Sequence, residues 1–281
     1  MKTVISASRR TDLVAFFPAW LATALRQGQA RVRGPRGALQ VVDLRPGGVH
    51  TLVLWSKDLS NLLRNECGLR DLVAAYDQVY LHFTVTGLGG RAAEPGAPAA
   101  RDALRQLPGL TALAGSPLRV SVRFDPILFW EEAGEVGSNV ALFREVADAA
   151  AAQGIRDIRM SFAQWYGKAV KRAAARGFRF LDPGEAEKRA LAEDLAALAA
   201  ARGLVLHACS QPLLAGVPGL RPSACIDGSL LAALHPRREP ASRRKDRGQR
   251  AACLCTGSKD IGSYEQACPH GCVYCYANPI V

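Results

Sequence analysis

Residues 268–281 read CPHGCVYCYANPIV, with Cys268, Cys272 and Cys275 in the spacing C-x3-C-x2-C. With eight cysteines in 281 residues, that spacing is expected by chance about 0.006 times. Gly271 allows a tight turn between the first two, so the three thiolates can face one metal centre. Three protein thiolates leave one coordination position open, the mark of a reactive metal site. A structural zinc needs a fourth ligand, and His270 is the nearest candidate. A second group comprises Cys209, Cys225, Cys253 and Cys255. Four thiolates make a closed site for an iron–sulfur cluster or for zinc. The pair in CLC is separated by one residue only and the other two lie far apart, so scattered core cysteines are the competing reading. Cys67 has no cysteine nearby and is expected to be a small buried hydrophobe.

The elements that must position these groups follow from the hydrophobic pattern. Six short runs rich in Val, Ile, Leu and Phe read as strands: TVISAS (3–8), HTLVLWS (50–56), VYLHFTV (79–85), LRVSVRF (118–124), IRDIRMSF (155–162) and LVLHAC (204–209). Segments between them carry apolar residues at steps of three and four, the helical period. Ser138 and Asn139 are expected to cap one helix at its start, and Gly154 and Gly203 to end helices before the next strand. Repeated β–α order implies a parallel sheet with right-handed crossovers, doubly wound or curled. Six units predict an α/β fold of the partial (βα)6, TIM-like barrel class. The stretch 30–48 interrupts the alternation and reads as a β-hairpin insertion. After Ser210 the regularity ends, so the expected division is a barrel over 1–210 and a Cys-rich extension over 211–281, packed at the barrel mouth.

In parallel α/β folds ligands bind at the carboxyl ends of the strands. Those ends here are polar: Ser8 to Asp12, Ser56 to Asp58, Thr84 to Gly87, Arg123 to Pro126, Arg159 to Ser161 and His207 to Ser210. Arg9, Asp12, Lys57, Arg123 and Asp125 are the candidate catalytic residues. Asp12 and Asp58 have a second reading, as caps of the helices that follow them.

Lys plus Arg number 36 against 25 Asp plus Glu, a net charge of +11. This raises the expectation of a polyanionic partner such as nucleic acid. The densest patch, Arg237 to Arg250, also contains Glu239 and Asp246, so a solvated loop is the other reading. The 49% hydrophobic and 22% charged composition is that of a globular chain. No apolar run reaches membrane-spanning length and the first residues do not resemble a signal peptide, so a cytoplasmic location without membrane contact is expected. In that compartment thiols stay reduced, which again favours metal or redox chemistry over disulfides.

CPHGCVYC resembles the signature of the radical S-adenosylmethionine (SAM) superfamily, with an aromatic residue, Tyr274, before the last cysteine. CPHGCVYCYA is similar to the spore photoproduct lyase and DNA repair lyase branch. Over nearly its full length the chain resembles the domain-of-unknown-function 1848 family, through SASRRTD, LWSKD, RFDPI, the CS and CID cysteines, and QRAACLCTGSKDIGSYEQACPHGCVYCYANP. The resemblance implies a six-unit partial barrel and a 4Fe–4S cluster on Cys268, Cys272 and Cys275 that binds SAM at its open iron. Reductive cleavage of SAM then yields a 5′-deoxyadenosyl radical. It also implies an electron donor of flavodoxin or ferredoxin type. From their places at the strand ends, Ser56, Lys57, Thr84, Thr86, Arg123 and Asp125, together with Tyr274 of the loop, are the candidates for holding SAM or substrate. Cys209, Cys225, Cys253 and Cys255 would hold a second Fe–S cluster or zinc. The signature usually follows the first strand, where this chain has SRRTD, and WSKD stands where a GGE-like motif would follow the second. The cluster loop is therefore expected at the barrel mouth, beside Arg9, Arg10 and Asp12. A zinc-stabilised basic nucleic-acid-binding protein and an Fe–S electron carrier are the alternative functions.

Overall fold

A computed structural model describes residues 1–33 and 37–280. Its centre is an eight-stranded parallel sheet built from β1 (Thr3–Ala7), β2 (Val49–Ser56), β3 (Val79–Thr84), β4 (Val120–Ile127), β5 (Asp157–Phe162), β6 (Val205–Cys209), β7 (Leu220–Ser223) and β8 (Lys259–Asp260). From edge to edge the order is β7-β6-β5-β4-β3-β2-β1-β8, so strands adjacent in sequence are adjacent in space, with β8 added beside β1. Among the described residues β7 and β8 do not pair, and the sheet is not closed.

All six expected strands form, but the expected count of six falls short. The two further strands, β7 and β8, come from the 211–281 segment, which therefore shares one sheet with the six expected strands. β8 is two residues long and is held by its side chain. Asp260 accepts hydrogen bonds from Ser6 Oγ (2.8 Å), Ser8 Oγ (2.7 Å) and the backbone N–H of Arg9 (2.9 Å).

Side-chain alternation gives the sheet two unlike faces. Ile5, Leu52, Leu54, Leu81, Phe83, Val122, Phe124, Ile158, Met160 and Leu206 are all buried on one face. They pack against apolar residues of the crossover helices, including Pro18–Gln27, Phe143–Ala152 and Glu185–Ala200, in a single core. Burial of each such side chain contributes about 2 kcal/mol. The intervening positions are Ser6, Val53, Trp55, Tyr80, His82, Ser121, Arg123, Asp125, Arg159, His207 and Cys209. This polar and aromatic face is covered by the chain from Cys225 to Cys255, including the helix Gly228–Leu234.

Gly154 and Gly203 take the left-handed conformation expected where helices end. The insertion after the first helices is a hairpin of Gln29–Arg33 and Leu39–Asp43; residues 34–36, within it, lie outside the described residues. Asn139 occupies a cap position but does not cap. Its buried amide instead bonds Leu128 N–H and the carbonyls of Thr86 and Pro126, tying the loops after β3 and β4 together. Phe129–Glu132, Glu135–Ser138 and Phe178–Leu181 form a small antiparallel sheet not foreseen from the sequence. Its hairpin turns at Ala133 and Gly134, both at positive φ. Cys67, expected in the core, is only half-buried and lies at positive φ in a turn.

Candidate metal centre

The segment 268–280 lies at the carboxyl ends of the sheet strands. His270 Nε2 is 2.8 Å from Asp12 Oδ2, and the hydroxyl of Tyr276 donates to the carbonyl of Arg9. Gly96 N–H donates to His270 O (3.0 Å) and Val273 N–H to Ala93 O (3.0 Å), binding the loop to the β3 crossover. The approach is close enough to require glycine, since a Cβ on Gly96 would stand 2.2 Å from Pro269 O. Gly271 is at φ +63°, as the tight turn requires. Beyond Cys275 the chain folds back, and Cys268 pairs with Pro279 and accepts from Ile280 N–H (2.9 Å).

Two carboxylates organise this end of the sheet. Asp12 caps the helix Leu13–Phe16 by accepting from Ala15 N–H, and in addition accepts from Ser56 Oγ (2.8 Å) and Lys57 N–H (2.9 Å). The cap reading of Asp12 therefore holds. Asp58 accepts from Ser60 N–H and Gln106 Nε2, as a helix-start residue does. The other carboxylate, Glu94, is 1% exposed. Its Oε1 accepts from Lys57 Nζ (3.0 Å), Thr86 Oγ1 (2.7 Å) and the hydroxyl of Tyr274. Lys57 and Tyr274, 37 and 180 residues from it in sequence, thus share one buried anchor. Glu94 sits in RAAEPGAPAA, a stretch that reads as plain loop, and no local pattern singles it out.

The three loop thiols lie within one electrostatic neighbourhood. Burial pushes all three up from the ordinary thiol value, Cys268 to about 11, and at Cys272 the charges of Glu94, Cys275 and Cys268 add to the rise while Lys57 opposes it. Ala277 N–H donates to Cys275 Sγ (3.3 Å). Arg172 donates to the carbonyls of Val273 and Cys275, and Lys168 to that of Tyr276, so two cations brace the loop from the helix Gly167–Ala174. His270, the expected fourth ligand for a structural zinc, is otherwise engaged. Its Nδ1 is 3.0 Å from Gly96 O and its Nε2 faces Asp12. Among the described residues no three cysteine Sγ atoms stand within 4.8 Å of one another. This holds for the loop and for the second cysteine group alike.

The second cysteine group is also assembled. Cys209 and Cys225 Sγ stand 3.4 Å apart, and Cys253 and Cys255 are buried in the same cluster as Cys225. Cys225 is held well below the ordinary thiol value by the bonds from Cys209 and Cys255, and Cys253 is lowered to about 6 by Cys255. Arg123 donates from Nη1 to Cys225 Sγ (2.9 Å) and from Nη2 to Asp125, and Asp125 accepts in turn from Ser161. Arg123 and Asp125, expected to contact SAM or substrate at the mouth, thus lie beside the second thiol group. Arg9 stands between the groups. Its carbonyl accepts from Tyr276, while its side chain reaches Ser258 (2.8 Å) and Asp246 (3.4 Å). Thr84 lines a small pocket with Lys57, Thr86 and Glu94. A cavity of about 240 Å³ lies beyond β5 and β6, lined by Phe162, Gln164, Trp165, Asp182, Lys188 and Gln211.

The sequence profile described as Domain of unknown function (DUF1848) matches residues 4–277, and the chain belongs to that family. No curated protein matches the chain.

Proposed function

We propose that the protein is a radical SAM enzyme, with its sheet curled as a partial barrel and Cys268, Cys272 and Cys275 holding a 4Fe–4S cluster. The reading rests on one observation above all. Three thiols, that of Cys272 buried and those of Cys268 and Cys275 half-buried, are carried to the carboxyl ends of a parallel sheet beside Asp12, Lys57 and Glu94, and the nearby His270 is engaged by Gly96 and Asp12. A partial barrel agrees with the placement of the crossover helices on one face of the sheet, since a doubly wound sheet carries helices on both.

Bound in that position, a 4Fe–4S cluster with one open iron supplies the electron that cleaves SAM to methionine and a 5′-deoxyadenosyl radical. The chain's own residues position and shield. Asp12, through His270, and Gly96 fix the loop's height above the sheet. Lys57, held by Glu94, places a positive charge near Cys272 that offsets the negative charge of thiolate ligands. Tyr274 and the buried Cys272 keep water from the site. The cavity beside Trp165 gives room for a small ligand at the same end of the sheet. Exposed Arg243, Arg244 and Arg247 favour a polyanionic substrate, nucleic acid in our reading, and a flavodoxin- or ferredoxin-type donor would supply the electron.

The test is anaerobic reconstitution with iron and sulfide, then incubation with dithionite and SAM. Formation of 5′-deoxyadenosine by the wild-type protein and its loss in Cys272→Ala are expected. A fully iron-loaded protein that releases none overturns the proposal. A colourless zinc protein that binds DNA favours the non-catalytic alternative.

A further inference from the structure

We infer that Cys209, Cys225, Cys253 and Cys255 form a closed site for one thiophilic divalent ion, zinc or iron, which clamps the chain from Cys225 to Cys255 onto the polar face of the sheet. The inference does not depend on what the loop of Cys268 binds.

The four sulfurs come from three separate stretches of chain: the end of β6, the turn after β7, and the CLC segment. Scattered core cysteines have no reason to converge in this way. Cys209 and Cys225 Sγ stand 3.4 Å apart, and Cys253 and Cys255 lie in the same buried cluster as Cys225, with Cys209 packed against it. A tetrahedral S4 site has six sulfur–sulfur edges of about 3.8 Å. The Cys209–Cys225 edge already stands at contact distance, and the others require the remaining thiols to turn inward. A four-iron cube would instead have to force the Cys209–Cys225 contact apart.

The surroundings suit a site whose four thiolates leave a net charge of −2 on a divalent ion. Arg123 donates directly to Cys225 Sγ at 2.9 Å, and Ile226 N–H donates to Cys255 Sγ at 3.4 Å. Arg9 is close enough to Cys255 for its charge to be felt, and its Nη1 is buried without a partner. Donors aimed at ligand sulfurs orient and stabilise a metal site from outside. Trp55 lies under the Arg123 guanidinium, 5.2 Å from ring centroid to Cζ, and stacks on His82, so that Arg123 is held from behind. Cys225, Cys253 and Cys255 are each less than a tenth exposed. The site has no open position and no route for a substrate, which makes it structural. The segment 225–255 is also tied to the rest of the fold by a small apolar cluster and by hydrogen bonds of His82 Nε2 with Cys225 O (2.7 Å), Gln78 Nε2 with Leu231 O (2.9 Å), Arg119 with Leu234 O (2.9 Å) and Lys2 with Glu239 (3.0 Å).

Metal content of the full chain with Cys268, Cys272 and Cys275 all changed to Ala tests this directly. That variant is expected to retain about one equivalent of zinc or iron, with X-ray absorption giving four sulfur ligands at about 2.3 Å. Adding Cys253→Ser is expected to lower retained metal at least tenfold. Should that variant fail to fold, cobalt substitution of the wild-type chain, read by its tetrahedral thiolate absorption, serves in its place. Retention of about four irons with cluster absorption overturns the single-ion site. So does a metal-free protein in which Cys209 and Cys225 are found joined as a disulfide.

Discussion

The two cysteine groups are built in opposite ways. Cys268, Cys272 and Cys275 lie within eight residues of each other, in a loop whose carbonyls are held by Arg172, Lys168 and Gly96 and whose His270 ring faces Asp12. Cys209, Cys225, Cys253 and Cys255 come from three separate stretches of chain, with Cys209 and Cys225 in sulfur contact and Arg123 donating directly to Cys225 Sγ. On the readings proposed above, the first arrangement holds a loop steady for an open cluster and the second joins three parts of the fold through an ion. A reactive site then needs its ligands pre-positioned by other groups, whereas a clamp needs its ligands to be the joint.

The largest expected effect separates them. Cys253→Ser removes a member of the joint, and because metal binding at a structural site is part of the folding free energy, a loss of about 4 kcal/mol and a fall in Tm on the order of 10 °C are expected. Cys272→Ala should cost the bound iron of the loop yet lower Tm by less than about 3 °C. Thermal unfolding by circular dichroism, with metal content measured on the same samples, checks both. Equal falls in Tm would erase the distinction.

Next in size is the buried pair Lys57–Glu94, whose side chains are 13% and 1% exposed. Glu94→Gln keeps the shape but leaves the Lys57 ammonium without its counter-charge, and breaking one side of a buried pair costs about 3 kcal/mol. Adding Lys57→Met removes the stranded charge and should recover about half of that loss, a coupling that urea unfolding of the four variants measures. The comparison predicts that these changes leave the metal at Cys253 untouched. A simultaneous loss of that metal would show that the two regions are one unit.

The sequence made the six long strands legible because each is a run of apolar, often β-branched residues that a helix tolerates less well. It could not show β7, whose LRPS includes a proline, or β8, which is two polar residues paired to β1 largely through Asp260. The polar face of the sheet was present in the alternation of SVRFD and DIRMS, but the strands read simply as apolar. The loop ligands were legible because their spacing is local. The second group comes together only once β6, β7 and the CLC segment meet, and Glu94 becomes a site residue only when Lys57, Thr86 and Tyr274 converge on it.

The smallest expected effect bears on whether the loop is open. If His270 were a metal ligand, the loop would be a Cys3His site, closed, and akin to the second group. Its ring nitrogens instead face Gly96 O and Asp12 Oδ2, and its ring packs edge-on against Phe16 at 4.6 Å between centroids. His270→Ala should therefore keep the iron content of the reconstituted protein within about a fifth of wild type, since all three thiolates remain. What it removes is a buried charge-assisted hydrogen bond, a loss of about 1.5 kcal/mol. The loop should then move more freely, and in the metal-free protein Cys272 should alkylate several times faster under iodoacetamide. Iron content that falls as far as in Cys272→Ala would make His270 a ligand, and the contrast between an open loop and a closed clamp would go with it.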